Sequence, residues 1–516
     1  MPRWIRYAIV MLVSACAFSY MQNWGAFVDP DIYYHAKAAE IIAHSGPIKT
    51  FPWLDLTVFG GNRFADFHFL FHVALIPFVE LGGMFGAQIA AVFFAALAMA
   101  VLYFVLDDLS IRWPWLWVGL ALCTSSIAFR FSLGKATPLA IIWFLLGLLA
   151  VMKRRPWIGL ITGIGFALTH YGFALLLACQ GLYFFVDAVS HRWQKKSWRE
   201  SIAHAPIKPF LLTTLGCAIG VLLHPNAGNL LASFWMNVTQ IALKTQFGII
   251  NLGSEWGHMA AKELLYAFWV HLVFIIAALA CLWASRKKEP RNEKQRQALV
   301  LFFPVLALTI LMLKSRRMSE YAAPALIVWV ALLWNAVDIP QIIGRVKQWA
   351  AEKHLQIPAA IKIPVLVIYL SIPVVCVVSS VYHVHEALRG PLERPVNQYR
   401  GAMEVVDKTA NENERIFNTR WDDFPQLFYA SSRVRYVEGL DPTYHLVADP
   451  VGTEKYSRLM SATSTSAVRN VVQNDFNCRL ILTTKNDPKS FWKLLDTDPS
   501  FELMYADPDS RLYQIH

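Results

Sequence analysis

Residues Val28 to Lys37 read VDPDIYYHAK, and the fold turns on where this acidic stretch falls. It follows an apolar segment, roughly residues 7–24, that is itself preceded by Arg3 and Arg6. A run of that length crosses a bilayer, and basic residues ahead of it hold the N-terminus on the cytoplasmic side. Asp29 and Asp31 then emerge on the outer face. Two carboxylates so spaced can converge on one hard cation through their oxygens. A carboxylate at a membrane exit is also placed to take a proton beside a lipid-linked substrate. A plainer reading covers the same residues: an Asp-Pro turn capping a helix that starts near Ile32.

Hydrophobic residues make up 56% of the 516, and apolar runs recur to about residue 385. The chain therefore reads as a polytopic α-helical membrane protein. After the first span, the expected ones are 84–106, 114–129, 137–152, 156–169, 172–189, 208–224, 262–284, 298–314, 319–337 and 363–385. Residues 67–81 are apolar but short and carry His68, His72 and Pro77, so they are read as a re-entrant or interfacial helix. Charge decides this. A span there would turn Lys153-Arg154-Arg155 outward. Without it, Lys153 to Arg155, His191 to Lys208, Arg286 to Arg296 and Arg345 to Lys362 all face inward, which gives about eleven spans. The net charge of +11 collects in those clusters and argues for orientation, not for nucleic acid.

Of seven cysteines, only Cys478 lies outside an apolar segment, so neither a disulfide framework nor a zinc spacing is present. Val13-Ser14-Ala15-Cys16 has the look of a lipoprotein cleavage box, but cleavage there would remove the anchor of the Asp29 loop.

The resulting map has a membrane domain over 1–388 with long outer loops at 25–83 and 225–261. A charged, mixed tail over 389–516 follows. Strand-like runs at 415–417, 480–483 and 512–515, separated by helix-like stretches, make that tail a soluble α/β domain. Long loops on one face only are what an enzyme of the outer surface needs. The expected location is a bacterial inner membrane, multi-pass, with the tail in the periplasm.

Ionisable groups at membrane depth are functional candidates. Arg316 and Arg317, in LKSRRMSEYAAP, sit between two spans and are followed by Glu320 and Tyr321. Guanidinium holds phosphate oxygens in pairs where lysine offers a point charge; snorkelling to headgroups is the bland alternative. Glu255, in INLGSEWGHM between Gly253 and Gly257, suits a closing lid, although Ser254 as a helix cap explains the segment equally well. Arg130 and Lys135 share a short outer loop, FRFSLGKATP, and His170 and His224 stand at outer span ends. In the tail, Trp421, Asp422 and Asp423 follow a strand, either to bind a partner or to cap the helix after them.

Together these segments resemble the GT-C class of membrane glycosyltransferases, and most closely the catalytic subunit of oligosaccharyltransferases. Asp31-Ile-Tyr-Tyr34-His35-Ala-Lys37 resembles that family's first outer loop, D-x-x-x-[NH]-x-[RK], with Asp29 two residues before. SRRMSEYAAP resembles its outer-face arginine followed by an aromatic and a proline, and ERIFNTRWDDFPQLFY the strand leading into its WWDYG motif.

The resemblance implies an inverting transferase that moves a sugar or oligosaccharide from a polyprenyl-phosphate or pyrophosphate donor to an acceptor protein, lipid or polysaccharide. It assigns catalysis to Asp31, Asp29 and Glu255, the last from the family's mobile loop. Arg317, Arg316, Lys135 and Arg130 fall to the donor phosphate, and Tyr34, His35, Asp66, His68, Trp421 and Asp422 to the acceptor side. It also implies a divalent metal, Mg or Mn, on Asp31, Asp29 and Glu255.

Two departures stand out. Asp423 and Phe424 occupy the tyrosine and glycine positions of WWDYG. The second outer loop carries Arg130 and Lys135 where the family has an acidic ligand, so the lysine is a candidate to replace the metal's charge. A monosaccharide GT-C transferase needs no sequon reader and is the alternative reading. A lipid or glycan transporter is the other, though the chain shows neither an internal repeat nor charge at mid-membrane.

Overall fold

The computed structural model describes residues 1–193, 197–242, 254–284, 293–352, 374–390 and 393–516. The N-terminal three-quarters is helical. Helix α1 is Arg3–Met21 and α2 is Asp31–Ser45. α2 opens on an acid at the positive end of its dipole and closes on Gly46, which adopts a positive φ of 79°. α3 is Phe69–Asp108, broken at Gly83 where φ is 53° and ψ −133°. The rings of Phe71 and Phe94 lie 5.8 Å apart, which a continuous helix would hold about 34 Å apart at 1.5 Å per residue. The chain therefore reverses at Gly83, and residues 69–82 pack back along 84–108. The short apolar stretch expected to stand apart from the following span is the first arm of this hairpin.

Next come α4 (Pro114–Cys123), α5 (Ser125–Phe131), α6 (Thr137–Met152) and α7 (Pro156–Thr169). α4, α6 and α7 carry proline in the first turn, where its missing N–H costs nothing. α8 is Phe173–Trp193, α9 Trp198–His204, α10 Ile207–Leu223 and α11 Ala227–Met236. α12 (Ala261–Ala284), α13 (Glu293–Lys314), α14 (Ser319–Asn335) and α15 (Ile339–Glu352) follow, with α16 over residues 374–387.

Helices α7 and α10 run parallel in close contact. A Cβ on Gly163 would stand 2.3 Å from the carbonyl oxygen of Thr213, and one on Gly216 would stand 2.2 Å from that of Leu160. Gly159 and Gly163 on one helix and Gly216 and Gly220 on the other form the small-xxx-small pattern that lets backbones approach in lipid.

Among the described residues, five helices are long and apolar enough to cross a membrane: α1, α3, α8, α12 and α13. The count reaches seven if two bent pairs, α9 with α10 and the 316–335 segment with α15, are each one span. That is fewer than the eleven expected. The expected span 114–129 is two helices, parted at Thr124, whose backbone is extended. α7, with 14 residues, rises about 21 Å, short of a hydrocarbon core of about 30 Å. Of the expected last span, 363–373 lies outside the described residues, as do 243–253 of the second long loop and most of the basic stretches 285–292 and 353–362.

The bundle has two chemically distinct ends. At one, Arg3, Arg6 and the Tyr7 hydroxyl gather on Asp107, while Arg155 pairs with Asp108 at 3.0 Å. The basic residues before α1 and those between α6 and α7, expected on one side, do share an end. The other end carries α2 and the aromatic loop after it.

The tail forms a five-stranded sheet in the order β4-β3-β5-β7-β6, from β3 (Arg415–Asn418), β4 (Arg435–Tyr436), β5 (Leu480–Thr484), β6 (Phe501–Ala506) and β7 (Ser510–Ile515). β3 is parallel to both its neighbours, and β7 is antiparallel to β5 and β6. The three runs read as strands from the sequence are β3, β5 and β7. The sheet shares its core with the helical part: Tyr34, Ala38 and Ile42 of α2, Phe51, Leu54, Phe59 and Phe64 of the loop, and Phe424, Phe428, Leu480 and Leu482 of the tail form one apolar cluster. Asp55 of the loop accepts from Arg415 (2.8 Å) and Arg435 (2.9 Å), and Trp53 donates its indole N–H to the Ser432 carbonyl at 2.7 Å. A short antiparallel pair, β1 (Ala26–Phe27) with β2 (Arg394–Pro395), sews the two parts together beside Asp29.

A test of the α7–α10 contact is Gly163→Leu. It should separate two backbones and destabilise by about 1–3 kcal/mol, read as a lower unfolding temperature in detergent; Gly228→Leu, where a Cβ meets nothing within 4 Å, should leave it close to that of the wild type.

Candidate active site

Five segments far apart in sequence meet at the end that carries α2. Asp29 plays two parts. Its Oδ1 accepts the Asp31 N–H at 3.0 Å, as a turn residue would, and its Oδ2 lies 2.8 Å from Lys135 Nζ. Asp31 Oδ2 stands 2.9 Å from the same ammonium. The turn reading of these letters is thus what the geometry shows directly, and the same two acids share one ammonium. Lys135 reaches them because Gly134 takes a positive φ of 70° and because a Cβ there would meet the Ile32 side chain at 2.9 Å. Glycine suits the α5–α6 turn here, since a Cβ would press on Ile32 and strain the backbone where the turn comes this close to α2.

Beyond Lys135 stands Glu255, in a one-turn helix over Ser254–Trp256. Its carboxylate is held from three sides: Arg130 Nη1 at 2.6 Å, Arg317 Nη1 at 3.1 Å and Lys135 Nζ at 3.8 Å. The indole of Trp256 lies under the Arg317 guanidinium, 5.0 Å from ring centre to Cζ. The turn is zipped to the end of α13 and the residues after it: Arg316 N–H donates to the Gly257 carbonyl and Met259 N–H to that of Leu313. Arg130 also binds Glu320, whose other oxygen accepts from the Thr137 hydroxyl at 3.3 Å.

The charges sustain one another. Burial pushes the Glu255 carboxyl up, but Lys135, Arg317 and Arg130 outweigh it and hold it well below the usual range. Burial works against the Lys135 charge, yet Asp29, Asp31 and Glu255 raise the ammonium above its ordinary value. Arg317 is likewise kept charged despite its burial, by Tyr171, Glu255 and Glu320.

Behind the acid pair runs a line of buried imidazoles. His35, one turn after Asp31 on α2, meets His72 through Nδ1 at 2.8 Å, and His72 Nδ1 meets Asp66 Oδ2 at 2.8 Å. Burial, with His72 and His68 nearby, holds His35 well below the usual imidazole range. A neutral His35 donating from Nδ1 to His72, which donates in turn to ionised Asp66, satisfies the whole line. Burial pushes His68 down to about 4; its ring stacks on His170, 5.3 Å away, and His170 Nδ1 lies 3.0 Å from the Tyr321 hydroxyl. His224 binds the Asp66 carbonyl at 2.8 Å.

Of the residues singled out from the sequence, Asp29, Asp31, Arg130, Lys135, Glu255 and Arg317 are brought into one ion network. Tyr34, His35, Asp66 and His68 lie beside it, buried or half-buried: His35 and Asp66 both bond to His72, His68 N–H donates to Asp66 at 3.0 Å, and the Tyr34 ring meets those of His35 and His72. Arg316 is not brought in: it turns to Glu263 at 2.9 Å, each side chain about 40% exposed. Asp422 also has another employment, bound by Arg394 at 2.7 Å and Arg420 at 3.0 Å, while Asp423 is shared by Arg394 and the Tyr399 hydroxyl. These pairs tie the residues after β3 to strand β2.

Sequence reading missed Asp441. It accepts the Thr443 N–H at 2.8 Å as a helix cap, and burial pushes it up to about 6, with Arg317 and Glu255 both close enough to act on its charge. An Asp-Pro before a helix reads as a cap and nothing more, so no signal marked it. Tyr444, one turn on, packs its ring on Phe59 and donates to Asn237. The tail thereby reaches the Arg317 side of the site.

No protein-family model matches the sequence, and no curated protein matches it. Solved structures do. Archaeal oligosaccharyltransferase AglB from Archaeoglobus fulgidus, in complex with an inhibitory peptide and a dolichol-phosphate, superposes with a TM-score of 0.60 over 94% of this chain and 69% of its own, at 11% identity. ArnT from Cupriavidus metallidurans, bound to undecaprenyl phosphate, gives 0.55 over 99% and 97% at 12% identity. Arabinofuranosyltransferase AftD from Mycobacteria gives 0.56 over the whole of this chain and 40% of its own, also at 12% identity. The fold is that of the GT-C glycosyltransferases. At these identities the likeness carries the architecture alone.

The ion network makes a specific forecast. Glu255→Gln leaves Arg130, Arg317 and Lys135 facing a neutral amide, which should cost about 1–3 kcal/mol and lower the unfolding temperature. Inorganic pyrophosphate should recover more of that loss in the variant than it adds to the wild type; equal effects on both would show that no anion seat is exposed.

Proposed function

We propose that the chain is a GT-C glycosyltransferase that moves a sugar or oligosaccharide from a polyprenyl-phosphate or pyrophosphate donor to an acceptor on the outer face of the membrane. The observation that carries this reading is the convergence of Arg130 and Arg317 on one carboxylate, with an acid pair a single lysine away. Two guanidiniums aimed at one pair of oxygens form a seat for a phosphate. Glu255 holds that seat, and the donor's phosphate takes its place when the turn carrying it moves.

In the reaction, an acceptor oxygen or nitrogen forms a bond to the anomeric carbon as the bond from that carbon to the phosphate oxygen breaks. Attack from the face opposite the phosphate inverts the configuration. Asp31 receives the acceptor's proton. It suits this better than Asp29, being 36% exposed at its side chain against 15%. The electron pair leaves with the phosphate, whose growing charge Arg317 and Arg130 stabilise. His35, His72 and Asp66 back the α2 side of the site, and Asp441 brings a carboxylate from the tail toward the acceptor.

The employment of Asp422 by Arg394 and Arg420 favours a second reading, transfer of a single sugar to lipid or polysaccharide. That reaction needs no reader of a protein sequon. The donor is the same in kind, and so are the roles of Asp31 and Arg317.

Asp31→Asn tests both. It removes the proton acceptor while keeping the shape, so transfer from a polyprenyl-phosphate-linked sugar should fall by about 100-fold or more with the unfolding temperature little changed. Turnover at the wild-type rate would refute the reading. Mass analysis of outer-surface glycoconjugates with and without the intact chain then separates a protein acceptor from a lipid or polysaccharide one.

A further inference from the structure

A divalent metal is what the family resemblance asks of Asp29, Asp31 and Glu255, and the residues present do not fit one. Magnesium takes oxygens at about 2.0–2.1 Å in a near-octahedral shell. Here the point on which the three carboxylates converge is the ammonium nitrogen of Lys135, at 2.8 Å from Asp29, 2.9 Å from Asp31 and 3.8 Å from Glu255. An ammonium has three hydrogens to give and three acids around it.

We infer that Lys135 is a built-in cation, occupying the position and taking over the charge of the metal in this active site. Three features keep it there. Its side chain is only 10% exposed. The turn behind it is pressed against Ile32 through Gly134, whose positive φ leaves the backbone little other choice. The Gln22 side-chain amide also donates to the Ser132 carbonyl at 3.0 Å, tying the start of the same turn to the end of α1. A dication brought to these carboxylates would meet the ammonium at contact distance. The cation is therefore part of the chain. It holds Asp29 and Asp31 side by side as carboxylates and leaves the freer oxygen of Asp31 to face the acceptor.

The catalytic half of this inference rests on the transferase reading; the binding half does not, and the experiment separates them. With the full-length protein in detergent, Mn2+ binding is followed by electron paramagnetic resonance and by the unfolding temperature. The wild type should bind no stoichiometric Mn2+ and show no shift. Lys135→Asp, which removes the ammonium and supplies a fourth carboxylate, should bind one ion and be stabilised by it. In the transfer assay, the wild type should keep its full rate in excess EDTA, while Lys135→Asp should lose at least about tenfold and recover part of it with Mn2+. Stoichiometric Mn2+ on the wild type that Asp29→Asn abolishes, or wild-type transfer lost to EDTA and restored by Mn2+, would overturn the inference. Should no transfer be found under any condition, the transferase reading fails, and Mn2+ binding by the wild type still decides the role of the lysine without any variant having to fold.

Discussion

The ammonium of Lys135 between Asp29 and Asp31 is the contact on which the rest of the site depends. Lys135 and Asp29 are mostly withdrawn from water and Asp31 partly so, and a charge so withdrawn is costly unless a partner and hydrogen bonds offset the loss of water. Asp29 and Asp31 stay side by side as carboxylates because Lys135 lies between them. Lys135 is charged because of them and Glu255, and Glu255 in turn because Arg130 and Arg317 reach it. Removing Glu255, which three cations share, leaves the most charge uncompensated.

The same end of the bundle is where the tail is fastened. The sheet's core continues into the aromatic loop and α2, so the α/β part and the first outer segment fold as one body around Phe51, Phe428 and Leu480. Asp55 pairs with arginines of two adjacent strands, and β2 pairs with β1 just ahead of Asp29. The tail therefore sets the path of the chain into the acid pair. It also carries Asp441 close enough to Arg317 and Glu255 for their charges to act on it. In the same region Asp422 and Asp423 both pair with Arg394 on β2.

Much of this was legible in advance. The pairing of a basic N-terminus with an apolar run, three of the five strands of the tail's sheet, and six members of the ion network all follow from patterns that act locally or from the cost of charge near lipid. Span count was less legible. Apolar composition says that a segment is buried, but not whether it is long enough to cross alone, and Thr124 and Gly83 break helices that hydropathy alone runs together or leaves apart. Arg316 and Arg317 are indistinguishable as letters; a one-turn helix sends one to Glu255 and the other to Glu263. Glu320 was seen beside Arg317 in sequence, and its partner is Arg130, almost two hundred positions away.

By itself the sequence determined the class of molecule: helices that bury apolar faces, basic clusters that sort to one end, an acid pair at the first exit and arginines at a later one. Those follow from transfer free energies and from charge, which depend on residue type and near neighbours. Only the tertiary structure decided which charges meet. Whether Lys135 faces phosphate or carboxylate depends on how closely the α5–α6 turn approaches α2, and that depends on the missing Cβ of Gly134. An electrostatic contact changes its meaning over a few ångströms, a distance set by packing between elements and not by anything in either element alone.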